Sequence, residues 1–100
     1  MLSPIEEIDH TADLAFKIRG ETVEQIHLHA QVAIAWKFPI FFFYFSDFAE
    51  NSLDEVIIDL NHKIAKADIN GGLPVKAVSF HGEIHQKEDG ILEWEMILDV

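Results

Sequence analysis

Asp9-His10-Thr11-Ala12-Asp13 packs two carboxylates, an imidazole and a hydroxyl into one short stretch just before an alternating apolar segment. Hard oxygen ligands at such a turn can hold Ca²⁺ or Mg²⁺ when further oxygens converge on them. The same residue types also satisfy turn amides through Asx-type hydrogen bonds. At the far end of the chain, Asp99 is followed by Val100, which places a side-chain carboxylate next to the chain's own α-carboxylate. Two anionic groups that close repel one another unless a cation or a donor sits between them. Glu93 and Glu95 share the strand parity of Asp99, which reads equally well as an extension of the same acidic face or as the solvated side of an edge strand.

The remaining chemistry-bearing residues are dispersed. His27 and His29 stand two apart on a predicted helix and so face apart, while His81 and His85 fall on or near predicted strands and His62 on a second helix. No Ser/His/Asp arrangement, Gly-rich phosphate loop or dinucleotide fingerprint occurs. A self-sufficient enzyme is therefore disfavoured.

The elements that must position these groups follow from composition and spacing. One hundred residues, 49% hydrophobic and 11% aromatic, suit a single domain over residues 1–100 with a real core and exclude disorder. Seven Lys+Arg against eighteen Asp+Glu give a formal net charge of −11, which repels a phosphate backbone, so direct nucleic-acid binding is not expected. The absence of Cys rules out disulfides and thiolate chemistry and suits a reducing cytoplasm. The longest apolar run, from Phe38 to Phe45, falls well short of the roughly 20 residues a membrane helix needs. With no basic and apolar leader at Met1 to Glu7, a soluble cytoplasmic protein away from membranes is expected.

From Asp13 to Arg19, Leu14, Phe16 and Ile18 alternate with Ala15, Lys17 and Arg19, the period of a half-buried strand. Thr22 with Gln25 reads as a capping box opening a helix whose apolar positions are Ile26, Ala30, Ala33 and Ile34, with Pro39 as its stop. The aromatic run Phe41 to Phe45 fits either a fully buried strand or a continuation of the helix, which periodicity alone does not separate, and the strand is the expected form. Ser52 with Glu55 opens a second helix, with Leu53, Val56, Ile57, Leu60 and Ile64 on one face up to about Lys66. Val75 to His81 and Glu83 to His85 read as strands, Asp89-Gly90 as a hairpin turn, and Leu92 to Leu98 as a last alternating strand. An α+β fold is expected, with a mixed or antiparallel sheet and two helices packed on one face, because each helix has a single apolar stripe to bury.

Asp9-His10-Thr11-Ala12-Asp13-Leu14-Ala15 resembles the D-H-T-A-D opening of the archease family, small proteins that assist the GTP-dependent tRNA-splicing RNA ligase. Gly20-Glu21-Thr22-Val23-Glu24-Gln25 is similar to that family's G-x-T-x-E-E helix start, and Asp54 to Asn61 resembles its D-L-L-x-x-W-L-N-E block. Val75 to His81 is similar to V-K-A-V-T-Y-H, and Leu98-Asp99-Val100 resembles the terminal F-D-V or F-D-I. The Phe-rich stretch departs from the family pattern, Asp59 stands where a Trp is common, and the chain is shorter than usual, which implies a shortened, divergent member.

The resemblance implies an archease-like fold with a divalent-cation site formed by Asp13, Asp99 and Val100, with Asp9 and His10 as supports. Ca²⁺ is the first choice of cation, with Mg²⁺ or Mn²⁺ as alternatives. It further implies an accessory protein that promotes guanylylation and multiple turnover of the ligase, not a catalyst. A chaperone-like modulator of RNA-modifying enzymes is the alternative. A stand-alone hydrolase, with Asp13 and Asp99 holding a cation that activates water, is the third reading. For Asp13 and Asp99 to reach one cation, the strands that carry them must share the sheet.

Overall fold

The computed structural model describes residues 3–8, 14–44, 52–71, 77–78, 84–87 and 89–99. Five strands, β1 (Ile5–Ile8), β2 (Leu14–Gly20), β3 (Ala77–Val78), β4 (His85–Gln86) and β5 (Leu92–Asp99), form one sheet in the order β1-β2-β5-β3, with β4 also paired to β5. Every pairing is antiparallel. The central ladder sets Leu14 opposite Leu98, Phe16 opposite Met96 and Ile18 opposite Trp94. These partners lie on one face, and Phe16, Ile18, Trp94, Met96 and Leu98 are essentially sealed from solvent. Burying each such side chain contributes about 1.5–3 kcal/mol. The opposite face carries Lys17 against Glu95 and Arg19 against Glu93, so the alternation read from the sequence becomes a sheet with one apolar and one charged face. Ala15, on the charged side, is nonetheless fully buried.

Two helices, α1 (Val23–Lys37) and α2 (Leu53–Gly71), supply the second layer. Thr22 caps α1 by accepting the Gln25 N–H at 3.1 Å, and Gln25 Oε1 accepts the Glu21 N–H at 2.7 Å, one residue before the cap nitrogen that a capping box would engage. Ser52 caps α2, accepting the Glu55 N–H at 3.3 Å. Ile26, Ala30, Ala33 and Ile34 of α1 and Val56, Ile57, Leu60 and Ile64 of α2 are buried in one cluster with the sheet. Leu53 is only partly buried against that cluster. The three alanines of α1, at 30, 33 and 35, are all buried, and Ala30 and Ala33, three apart, fall on one face.

Asn61 ties α2 to the sheet. Its side-chain amide donates to the Val78 carbonyl at 3.2 Å and accepts the Val78 N–H at 2.6 Å. The β4–β5 hairpin turns where expected: the Gly90 N–H meets the Lys87 carbonyl at 2.9 Å, and Gly90 takes φ +85°, a region that Cβ-bearing residues avoid.

Two expectations need correction. The aromatic run is not a strand. Pro39–Tyr44 forms a 3-10 helix. Proline fixes φ near the helical value and lacks an N–H for a ladder, and the Phe41 N–H bonds the Phe38 carbonyl at 2.9 Å. Only Phe41 of this helix is buried, while Phe42 and Phe43 are exposed. Phe45 lies outside the described residues. The second helix runs on past Lys66 to Gly71, adding the buried Ala67. One element has no counterpart in the sequence reading: Ile5–Ile8 forms an edge strand that its non-alternating Ile-Glu-Glu-Ile sequence conceals.

Candidate functional site

β2 pairs with β5 from Leu14–Leu98 to Gly20–Leu92, so the strand that follows Asp13 in sequence and the strand that carries Asp99 do share the sheet. Leu14 pairs with Leu98 at one end of this ladder. Asp99 closes β5 opposite Ala77, exposed and on the charged face, in parity with Glu93 and Glu95 as the alternation required. Asp9, His10, Asp13 and Val100 lie outside the described residues. Among the described residues, no group of three or more His, Asp or Glu side chains is arranged to hold a metal ion. Asp99 is thus the one member of the expected set whose place is described, and it offers a single solvent-facing carboxylate of the hard-oxygen type that Ca²⁺ or Mg²⁺ accepts.

Two charge networks were not among the sequence candidates. On the charged face of the sheet, Arg19 Nε donates to Glu93 at 2.9 Å, one terminal nitrogen to Glu6 at 2.8 Å and the other to the Ser3 carbonyl at 2.9 Å. Lys87 reaches the other Glu93 oxygen at 3.3 Å. Burial works against the Arg19 charge, but hydrogen bonds from the guanidinium to Glu6 and Glu93 outweigh it and hold its pKa above the ordinary value. Burial likewise pushes the Glu93 carboxyl up, and hydrogen bonds from Arg19 and Lys87 overcome that push, leaving it below the usual glutamate range.

Between the helices, His27 Nε2 lies 2.6 Å from an Asp59 oxygen, and Lys63 donates to that same oxygen. His27 and Lys63 are buried, while Asp59 keeps about one fifth of its side chain exposed. Burial pushes the Asp59 carboxyl up, yet hydrogen bonds from Lys63 and His27, with the charges behind them, hold it below the ordinary aspartate range. The spacing of Asp59 and Lys63, one helical turn apart, was a readable signal. His27 lies 32 positions from Asp59 and gave none.

Comparison of the chain with protein-family models, with curated proteins and with solved structures yields no match. No helix among the described residues is long and apolar enough to cross a membrane.

Proposed function

We propose that this chain is an archease-like accessory protein that promotes guanylylation and multiple turnover of a GTP-dependent tRNA-splicing RNA ligase without catalysing ligation itself. What supports the reading is the pairing of Leu14 with Leu98. In sequence, Asp13 immediately precedes Leu14 and Asp99 immediately follows Leu98. The sequence neighbours of these two motif residues, Leu14 and Leu98, therefore form the last described pair of one ladder. Asp13, Asp99 and Val100 would supply hard oxygens to a divalent cation, with Asp9 and His10 in support. Such a cation, Ca²⁺ first and Mg²⁺ or Mn²⁺ otherwise, offsets the mutual repulsion of the carboxylates and concentrates positive charge there. A net charge of −11 suits a cytoplasmic protein that meets a basic, RNA-binding protein partner instead of RNA.

The deciding experiment adds the chain to purified ligase with GTP and each cation in turn and follows formation of the enzyme–GMP adduct. The expected result is faster adduct formation and more than one turnover, lost in Asp13→Ala and Asp99→Asn proteins that keep the wild-type circular dichroism. No stimulation by the folded wild-type chain with any of the three cations overturns the reading.

A further inference from the structure

A cleft of about 500 Å³ opens at the other end of β2, between the β2–α1 turn and the β4–β5 hairpin. That volume is typical of small-ligand sites, and most of the wall is apolar, with Pro4, Gly20 and Ile91 contributing. Gly20 lets β2 and α1 approach closely here, since a Cβ at that position would stand 2.7 Å from the Gln25 Cβ and 3.1 Å from the Ile26 nitrogen.

The polar groups on the wall are not balanced. Arg19 is paired with Glu93 and Glu6 and also holds the Ser3 carbonyl, and Lys87 leans on Glu93. An anionic ligand would meet the Glu93 carboxylate beside both cations. Other acceptors on the wall carry no cation. His29 must donate its Nδ1–H to the Arg19 carbonyl, 2.5 Å away, because a carbonyl only accepts, so Nε2 of the neutral ring keeps its lone pair. Asp89 gives one oxygen to the Ile91 N–H at 3.0 Å and keeps the other. The exposed Glu21 carboxylate has no partner among the described residues.

We infer that this cleft binds an alkylammonium group, its apolar stem against the wall and its cationic head on Glu21, Asp89 and His29. A free aliphatic amine and a lysine side chain present the same chemistry. The site is remote from Asp99 along both β2 and β5, and it does not depend on the ligase reading.

Pentylammonium is the probe, titrated into the full chain by calorimetry and by amide chemical-shift mapping. Saturable one-to-one binding is expected, with shifts at Gly20, Gln25, His29 and Ile91, and with pentanol and pentanoate bound at least fivefold more weakly. Glu21→Gln weakens binding about three- to fivefold, the size of an exposed charge pair. Asp54→Asn removes the same charge at the start of α2, outside the cleft, and leaves affinity unchanged. N-acetyl-lysine methylamide binding as well as pentylammonium assigns the site to lysine side chains, and its failure beside a binding amine assigns it to free amines. Equal affinity for pentanol and pentylammonium overturns the inference, as does equal loss in the Glu21 and Asp54 variants, which would signal general attraction to an acidic chain.

Discussion

Arg19 and Asp59 are mirror images in charge. One cation gathers two carboxylates on the charged face of the sheet, and one carboxylate gathers a lysine and a histidine between the helices. They differ in redundancy. Glu93 keeps Lys87 if Arg19 is lost, and Arg19 keeps Glu6 and the Ser3 carbonyl if Glu93 is lost. Asp59 is a hub without a substitute among the described residues: its removal leaves a buried ammonium and a buried imidazole facing one another. Arg19, moreover, does not titrate in any accessible range, whereas Asp59 does. The helix layer is therefore the part of the molecule whose ionic structure is easier to break, by mutation or by acid.

The largest effect should come from Asp59→Asn, at about 2–3 kcal/mol of unfolding free energy by urea titration, because a buried charge left unpaired costs more than the pair contributes. The Asp59→Leu/Lys63→Met double variant should recover part of that loss, since replacing a buried pair with apolar groups is close to neutral, while the buried His27 still lacks its partner. Failure of the double variant to recover would shift the cost from charge to packing. Arg19→Met should cost less, about 1–2 kcal/mol, with Lys87 still serving Glu93. A loss larger than that of Asp59→Asn would reverse the ranking and end the redundancy account.

Acid sharpens the contrast further. Asp59 and Glu93 both have folded pKa values below the ordinary ones. Each therefore contributes stability that is fully present above its unfolded pKa, about 4, and disappears as pH falls through the lower folded value. Thermal midpoints measured from pH 6 to pH 2 should fall most steeply below about pH 4. Asp59→Asn should flatten that profile more than Glu93→Gln, because protonated Glu93 leaves Arg19 other acceptors. The smallest effect belongs to Lys87→Ala, about 0.5 kcal/mol, as its ammonium is more than half exposed and the pair is screened by water.

Local chemistry was the legible part of the fold. Thr22, Ser52 and Asp89-Gly90 act through neighbours a few residues away, and the caps and the turn occur where those residues stand. Periodicity failed where the pattern was degenerate. Apolar residues at every position from Ile40 to Phe43 fit strand and helix alike, and two adjacent glutamates hid β1. Contacts of long sequence separation left no trace: Arg19 meets Glu93 across 74 positions. Of the candidate metal site, the parity of Asp99 with Glu93 and Glu95 was readable from strand alternation, and β5 keeps it. Asp9, His10, Asp13 and Val100 fall outside the described residues.

The Asn61 clamp bears on how this molecule treats other chains. A sheet's outermost strand ordinarily offers a row of free N–H and carbonyl groups, a template on which a neighbouring polypeptide can add a strand. At Val78 both groups are taken by one side-chain amide, which imitates a single residue of an extra strand donated by a helix. The other border, β1, is guarded differently, by Pro4 at its start and by Glu6 and Glu7 within it. Among the described residues, one edge is thus occupied at Val78 and the other is charged at Glu6 and Glu7, so addition of a further strand is discouraged at those two places.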